Sequence, residues 1–265
     1  MGELTDVRAC LGTDGRLDAD LLDAAASRGA VVLCELTDEE LHLLGPEPDA
    51  DPDPLLDAPR LGRLDPPARD AALTAVLHTL RVTGELELDP ARPDELGARG
   101  LRALAVSMRS AAVARTTVTV EPAGATVLGL FRLDDERVVS DDVDGDGIHL
   151  LALHRGSQVV GLVPALLDED GVEALRLLHV TLGAGEAPAA ARTLEVRRAV
   201  SGVIDADGSP AAWTVTRRLV LDGEERATET DLGDTALASL LWAFVTAPAD
   251  ASHGDVALGE VALDA

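Results

Sequence analysis

The sequence predicts an α+β fold, with antiparallel sheets and flanking helices arranged as one compact domain or as two pseudo-symmetric halves. Three observations carry that expectation. Apolar residues recur at helical spacing in three separate segments before residue 81. From Thr116 the pattern changes to short apolar runs divided by turn residues, the mark of antiparallel strands. A second strand-rich stretch, starting near residue 192, closes with an apolar helix.

The elements follow in order. Leu17, Leu21, Leu22 and Ala25 share one helical face, so residues 18–28 form a helix that Gly29 ends. Ala30–Leu36 reads as a short strand. Thr37 starts a second helix: Glu40, three residues on, completes a capping box, and Leu36 and Leu41 flank it as a hydrophobic staple. Gly45 closes it, so residues 1–45 make a helix–strand–helix unit. Residues 46–67 hold seven of the fourteen prolines and a series of aspartates, a composition expected to be exposed and extended. Asp65-Pro66-Pro67 opens another helix, because proline suits a first helical turn. Leu73, Val76, Leu77 and Leu80 form its buried stripe, and Thr83-Gly84 turns it into a strand over Glu85–Leu88.

The first α+β half is read as 68–182. Strands are expected at 116–120, 125–131, 137–140, 148–153 and 158–163, then a helix near Asp168–Leu178 with Val172 and Leu175 facing inward. A Gly-, Ala- and Pro-rich loop at 183–191 separates the second half, 192–265. There TLEVRRAV and WTVTRRLVL read as strands and Asp222-Gly223 as a hairpin turn. Asp234–Thr246 reads as a helix whose Leu237, Leu240, Leu241, Phe244 and Val245 face a core. Val256–Leu263 suggests an edge strand. Leu133–Arg137 and Leu221–Arg226 echo each other, which fits either convergent turn chemistry or two related halves.

Composition narrows the function classes. The chain has 265 residues, 22 basic against 48 acidic, for a formal net charge of −26. Phosphate and anionic lipid are repelled by such a surface, so nucleic acid and membrane are not expected partners. The apolar fraction of 46% is too high for a disordered acidic chain. Lys, Asn and Tyr are absent, and all basic residues are Arg. Loss of residues with A/T-rich codons points to a GC-rich genome, an actinobacterium or a salt-loving archaeon. No apolar run reaches 18 residues, and the N-terminus has no signal-peptide pattern, so a cytoplasmic location is expected. Cys10 and Cys34 lack CxxC spacing and read as free thiols.

Few motifs carry chemistry. Asp142-Val143-Asp144-Gly145-Asp146-Gly147 has the spacing of the first half of a calcium loop, with Asp142, Asp144 and Asp146 as oxygen ligands. Leu153 stands where the bidentate Glu belongs, so a polar hairpin connection is the plainer reading. His149 and His154 are five apart on a strand, hence on opposite faces, and cannot share a metal. No nucleophile elbow, phosphate loop or paired-histidine zinc motif occurs. No cofactor is expected, and nothing positive marks an enzyme, although an unfamiliar small-molecule site remains an alternative. A winged helix over 67–88 is a lesser alternative, since no basic recognition helix accompanies it and Arg99, Arg102, Arg109 and Arg115 read as a solvated helix face.

The candidate partner surface is Arg197-Arg198 and Arg217-Arg218 with Trp213. Alternation sends one Arg of each pair to each side of its strand. On neighbouring strands these residues either form a cationic stripe that receives a partner or balance nearby carboxylates. Trp242 reads as core margin.

The order of features resembles the EspG family, cytosolic chaperones of type VII (ESX) secretion in actinobacteria. The likeness lies in the capping-box helix of ELTDEELHLLG, the proline-rich segment after it, and the helix–turn–strand of ARDAALTAVLHTLRVTGELEL with Gly84-Glu85-Leu86 at its turn. The sheet-rich stretch ending in VVGLVPALL, the second strand-rich half and the late helix complete it. The resemblance implies a non-catalytic protein that binds a small helical secreted substrate through its central sheet and loops.

Overall fold

The computed structural model describes residues 3–12, 18–45, 60–89, 92–98, 100–168, 171–181, 191–199, 203–204, 208, 210–221 and 224–246. The chain opens with strand β1 (Glu3–Asp6), a 3₁₀ turn at Val7–Cys10, helix α1 (Ala19–Ala26), strand β2 (Gly29–Thr37) and helix α2 (Asp38–Leu44). A 3₁₀ turn at Leu61–Arg63 leads to α3 (Pro66–Val82), the hairpin β3 (Leu86–Asp89) and β4 (Arg92–Ala98), and α4 (Gly100–Ser110). Strands β5 (Ala114–Glu121), β6 (Ala125–Arg132), β7 (Arg137–Val143) and β8 (Ile148–Arg155) follow, then a 3₁₀ turn at Gly156–Gly161 and α5 (Leu162–Leu166). Strands β9 (Ala174–Thr181), β10 (Ala191–Arg198), β11 (Trp213–Leu221) and β12 (Glu224–Leu232) precede α6 (Asp234–Thr246).

This is an α+β fold built on one sheet of ten strands, in the order β1-β2-β8-β7-β6-β5-β9-β10-β11-β12, with β3 and β4 as a separate hairpin. All neighbours in the large sheet are antiparallel except β1, which runs parallel to β2. The sheet crosses both stretches read as halves without a break, because β9 pairs with β10 from Arg197↔Ala174 to Ala191↔Val180. No described helix is long and apolar enough to cross a membrane.

Two apolar cores lie on opposite faces of this sheet, and strand alternation explains the division. Val139, Leu151, Leu153 and Phe131 point into the first core, with Leu22 of α1, Leu41 of α2, Leu80 of α3 and Val106 of α4. Val138, Leu130 and Leu128, one residue out of phase, point into the second. There Leu175, Leu177, Leu194, Val196 and Val215 pack beneath Val163 of α5 and Leu237 and Leu241 of α6.

The strongest local signals form as read. Thr37 Oγ1 accepts from the Glu40 backbone N–H at 3.2 Å, and Glu40 Oε2 accepts from the Thr37 N–H at 3.0 Å. Leu36 and Leu41 are both 1% exposed, as a staple requires. Thr37→Ala is therefore expected to cost about 1 kcal/mol, read as a lower urea midpoint with an unchanged slope. Asp65 caps α3, and Leu80 is fully buried at the end of a half-buried stripe. α6 spans Asp234–Thr246, with Phe244 half-buried and Trp242 at the core margin.

Two assignments change. The described residues of 168–178 form no helix: α5 ends at Leu166 and β9 starts at Ala174. Val172 and Leu175 are three apart and suggested a helical face, but Leu175, Leu177 and His179 alternate, and pairing on both sides with β5 and β10 makes the segment a strand. Conversely, residues 158–163 are not a strand. They turn as a 3₁₀ helix into α5, which places Val159 and Val163, four apart, in the same core. Short apolar runs do not distinguish the two periods.

The Pro/Asp-rich segment is described only from residue 60. Its last part is neither extended nor wholly exposed, because Leu61 is 1% exposed in a 3₁₀ turn. The readings at 46–59, 183–190, Asp222-Gly223 and Val256–Leu263 lie outside the described residues. Leu221 and Glu224 pair in register on either side of the Asp222-Gly223 position.

Candidate functional site

The arginine pairs are on neighbouring strands, and alternation separates them. Arg197 faces Thr214, and Arg218 faces Thr193, on the side of β9–β12 away from α6. Arg198 faces Trp213, and Arg217 faces Leu194, on the side covered by α6. No cationic stripe results. Arg197 Nη2 lies 3.0 Å from Glu229 Oε2, Arg218 Nη2 lies 3.7 Å from Glu195 Oε2, and Arg198 is paired with Asp168. Arg197, Arg198 and Arg218 balance carboxylates, and exposed pairs of this kind contribute little stability.

Trp213 is not a surface anchor. It is 6% exposed, its Nε1 donates to Asp234 Oδ1 at 2.6 Å at the start of α6, and the Arg198 guanidinium lies 5.1 Å from its ring. Arg217 is half-buried beside the second core, and that burial lowers its pKa. What remains open is the other side of β9–β12, where Arg176, Arg197, Arg218 and Glu229 are exposed. Val180 and Thr214 are buried on that side, but neither belongs to the two apolar clusters.

The calcium-like segment is the hairpin between β7 and β8. Asp144 Oδ1 accepts from the backbone N–H groups of Asp146 and Ile148, both at 2.9 Å, so this oxygen holds the turn together. Asp142 projects from β7 itself, and Asp146 is exposed. Among the described residues no cluster of three or more His, Cys, Asp or Glu is arranged to hold a metal ion.

A charged network that the sequence reading did not assemble lies under this hairpin. His149 is fully buried between two carboxylates: Nδ1 is 2.8 Å from Asp141 Oδ1, and Nε2 is 2.8 Å from Asp38 Oδ1. Arg109 Nε donates to the other oxygen of Asp141 at 3.0 Å, with its guanidinium 4.2 Å from the centre of the Phe131 ring. Asp38 Oδ2 accepts from the backbone N–H groups of Arg60 and Leu61 at 3.3 and 3.1 Å. Burial alone would keep His149 neutral, but the hydrogen bonds and charges of Asp141 and Asp38 outweigh it and raise its pKa to about 9. Two carboxylates therefore face one imidazolium and one guanidinium, a balanced set that ties α2, α4, β7 and β8 together.

The opposite face holds a second histidine pair. His154 Nε2 is 2.8 Å from Ser140 Oγ, both are buried, and burial lowers the His154 pKa to about 4. Ser140 and Asp141 are adjacent in β7, so the sheet divides these groups: serine and His154 on one side, Asp141 and His149 on the other. They cannot act as a Ser–His–Asp triad. Arg109, expected on a solvated face, is 5% exposed, while Arg102 bridges Glu40 and Glu85 at 3.2 and 3.0 Å. Arg99 lies outside the described residues.

A cleft of about 550 Å³ opens elsewhere, between β2 and the start of α4, lined by Cys34, Glu35, Glu85, Leu101 and Arg102 among others. It contains neither His149 nor His154. Burial pushes the Cys34 thiol up to about 12, far from a reactive thiolate. Compared with known family models and with curated proteins, the chain matches none.

Proposed function

We propose that this chain is a non-catalytic adaptor or chaperone that binds a protein partner, and that the partner is a small helical secreted protein of the type VII class, as the EspG-like layout implies. The observation that carries this reading is the set of exposed charged residues Arg176, Arg197, Arg218 and Glu229 on one side of β9–β12, which belong to neither apolar cluster. Loops and sheets of this kind present binding residues on a fixed scaffold. The contrasting placement of His149 and His154, sealed in packing and away from the cleft, supports binding over acid–base chemistry. An acidic surface disfavours nucleic acid, and the proposed setting is an actinobacterial cytoplasm.

The test is co-expression with small helical proteins encoded beside this gene. A stable complex is expected by size exclusion with light scattering, with slowed amide exchange in β10–β12. Replacing both Arg197 and Arg218 by Gln should weaken the complex at least tenfold while leaving the melting curve nearly unchanged, because both side chains are exposed and their pairs with Glu229 and Glu195 contribute little. Failure of every such protein to bind, or a complex indifferent to the replacement and protected elsewhere, would overturn the reading.

A further inference from the structure

We propose that the outer edge of β2, beyond Val32, is a docking site for an extended cationic peptide of a partner protein, which adds a strand to the sheet beside β1. The edge is already used in this way for part of its length. β1 pairs along it from Glu3↔Gly29 to Asp6↔Val32 and then leaves, because Asp6 caps the following 3₁₀ turn by accepting from the Arg8 N–H at 2.8 Å. β2 continues to Thr37, with its inner side paired to β8 as far as Thr37↔Ile148. No described strand follows the outer side of Leu33–Leu36. The backbone donors and acceptors on that side are a template for strand addition.

The 550 Å³ cleft opens along this stretch of edge. Its lining includes Val32, Leu33 and Cys34 of β2 and Leu101 at the start of α4, so an apolar side chain of the incoming strand finds apolar contacts there. The register of β2 shifts between Val32 and Cys34, a bulge where β1 departs. Four residues of edge correspond to roughly 13 Å of strand, enough for a recognition core of about four residues.

Charge selects the occupant. Asp6, Glu35 and Glu85 border the cleft against Arg8 and Arg102. Glu40 and Glu85 share the single charge of Arg102, an excess of one carboxylate, and Asp6 and Glu35 exceed Arg8 by one more, so the acidic groups prevail locally. An apolar residue flanked by Arg or Lys satisfies the apolar lining, the carboxylates and the strand edge together. This site lies at the β1 end of the sheet, whereas the proposed partner surface lies at the β12 end, and it does not depend on that reading.

The test is selection of a random heptapeptide display library against the full chain, followed by fluorescence polarisation with the enriched peptides. Enrichment of Val, Ile or Leu flanked by basic residues is expected. Glu35 is exposed, so Glu35→Arg should fold normally and weaken these peptides at least tenfold. Methylating alternate backbone nitrogens of the peptide should abolish binding with side chains unchanged, and bound peptide should slow exchange at Leu33–Leu36. No enrichment, or peptides indifferent to Glu35→Arg and to N-methylation, would overturn the proposal. Glu35→Arg should leave a complex on β10–β12 untouched, which separates failure here from failure of the adaptor reading.

Discussion

His149→Ala should destabilise the fold by about 3–5 kcal/mol, the cost of leaving buried charge without its partner. The residue is fully buried, and both ring nitrogens are engaged at 2.8 Å. Removing it leaves Asp38 and Asp141, 1% and 0% exposed, facing an empty space where the imidazolium stood. Arg109 still neutralises Asp141, but among the described residues Asp38 keeps only backbone N–H donors from Arg60 and Leu61. Domains have only about 5–15 kcal/mol in total, so this loss is a large fraction of the whole. If uncompensated charge is the cause, Asp38→Asn should recover part of the loss in the His149→Ala background, a non-additivity readable by urea denaturation of all four combinations. A cost under about 1 kcal/mol, or strict additivity, would show that the network contributes packing only. Gly147 bears on the same site. Its φ is +75°, and a Cβ there would sit 2.8 Å from Asp38 Oδ2, so the hairpin glycine leaves room for the carboxylate.

Most of the fold was legible because local chemistry and global packing agree. The capping box at Thr37, the Asp65-Pro66-Pro67 start and the wide apolar face of α6 are short-range signals, and each forms in place. The readings that failed were short apolar segments whose period was ambiguous. Residues 158–163 and 168–178 exchanged helix and strand because their neighbours in space, the second core and the flanking β5 and β10, decided the outcome. The alternation of the arginine pairs was legible, but not the carboxylates that neutralise them. Glu229 is 32 residues from Arg197, and Asp168 is 30 from Arg198.

The buried network has one signal in the sequence. Asp141 stands between Val139 and Val143 on the same face of β7, so an apolar face carries a carboxylate that must find a partner. That partner follows from hairpin pairing, which sets Val143 opposite His149. Asp38 is 111 residues from His149 and joins only through the tertiary fold, so no spacing rule reveals it. Burial and hydrogen bonding make His149 and His154 structural ties. Among the described residues, the surfaces proposed for binding are the exposed charged side of β9–β12 and the outer edge of Leu33–Leu36, which no described strand pairs.

Folding stability should be greatest near pH 6.5 and fall on both sides, because the buried histidines titrate with opposite sign. His149 has its pKa raised from 6.5 to about 9. Its contribution is complete below 6.5 and is lost as pH rises through 9, roughly 3 kcal/mol in all. His154 and His179 have theirs lowered to about 4. Burial is the first cause for both, and the charges of Arg192 and Arg132 add to it at His179, whose Nδ1 is 2.9 Å from Thr116 Oγ1 and whose ring meets Phe244 edge-on. These two rings are neutral in the fold and protonate on unfolding below 6.5. Their contributions are present above 6.5 and are lost as pH falls through 4, again roughly 3 kcal/mol each. The acid limb is thus the steeper one, since two rings titrate on it against one on the alkaline side. Urea melts from pH 4 to 10 should give a dome. Asn at positions 154 and 179 should flatten the acid side, and His149→Ala should flatten the alkaline side while lowering the top. A wild-type curve level from 6.5 to 4, or an alkaline limb that persists without His149, would place the titrating groups elsewhere.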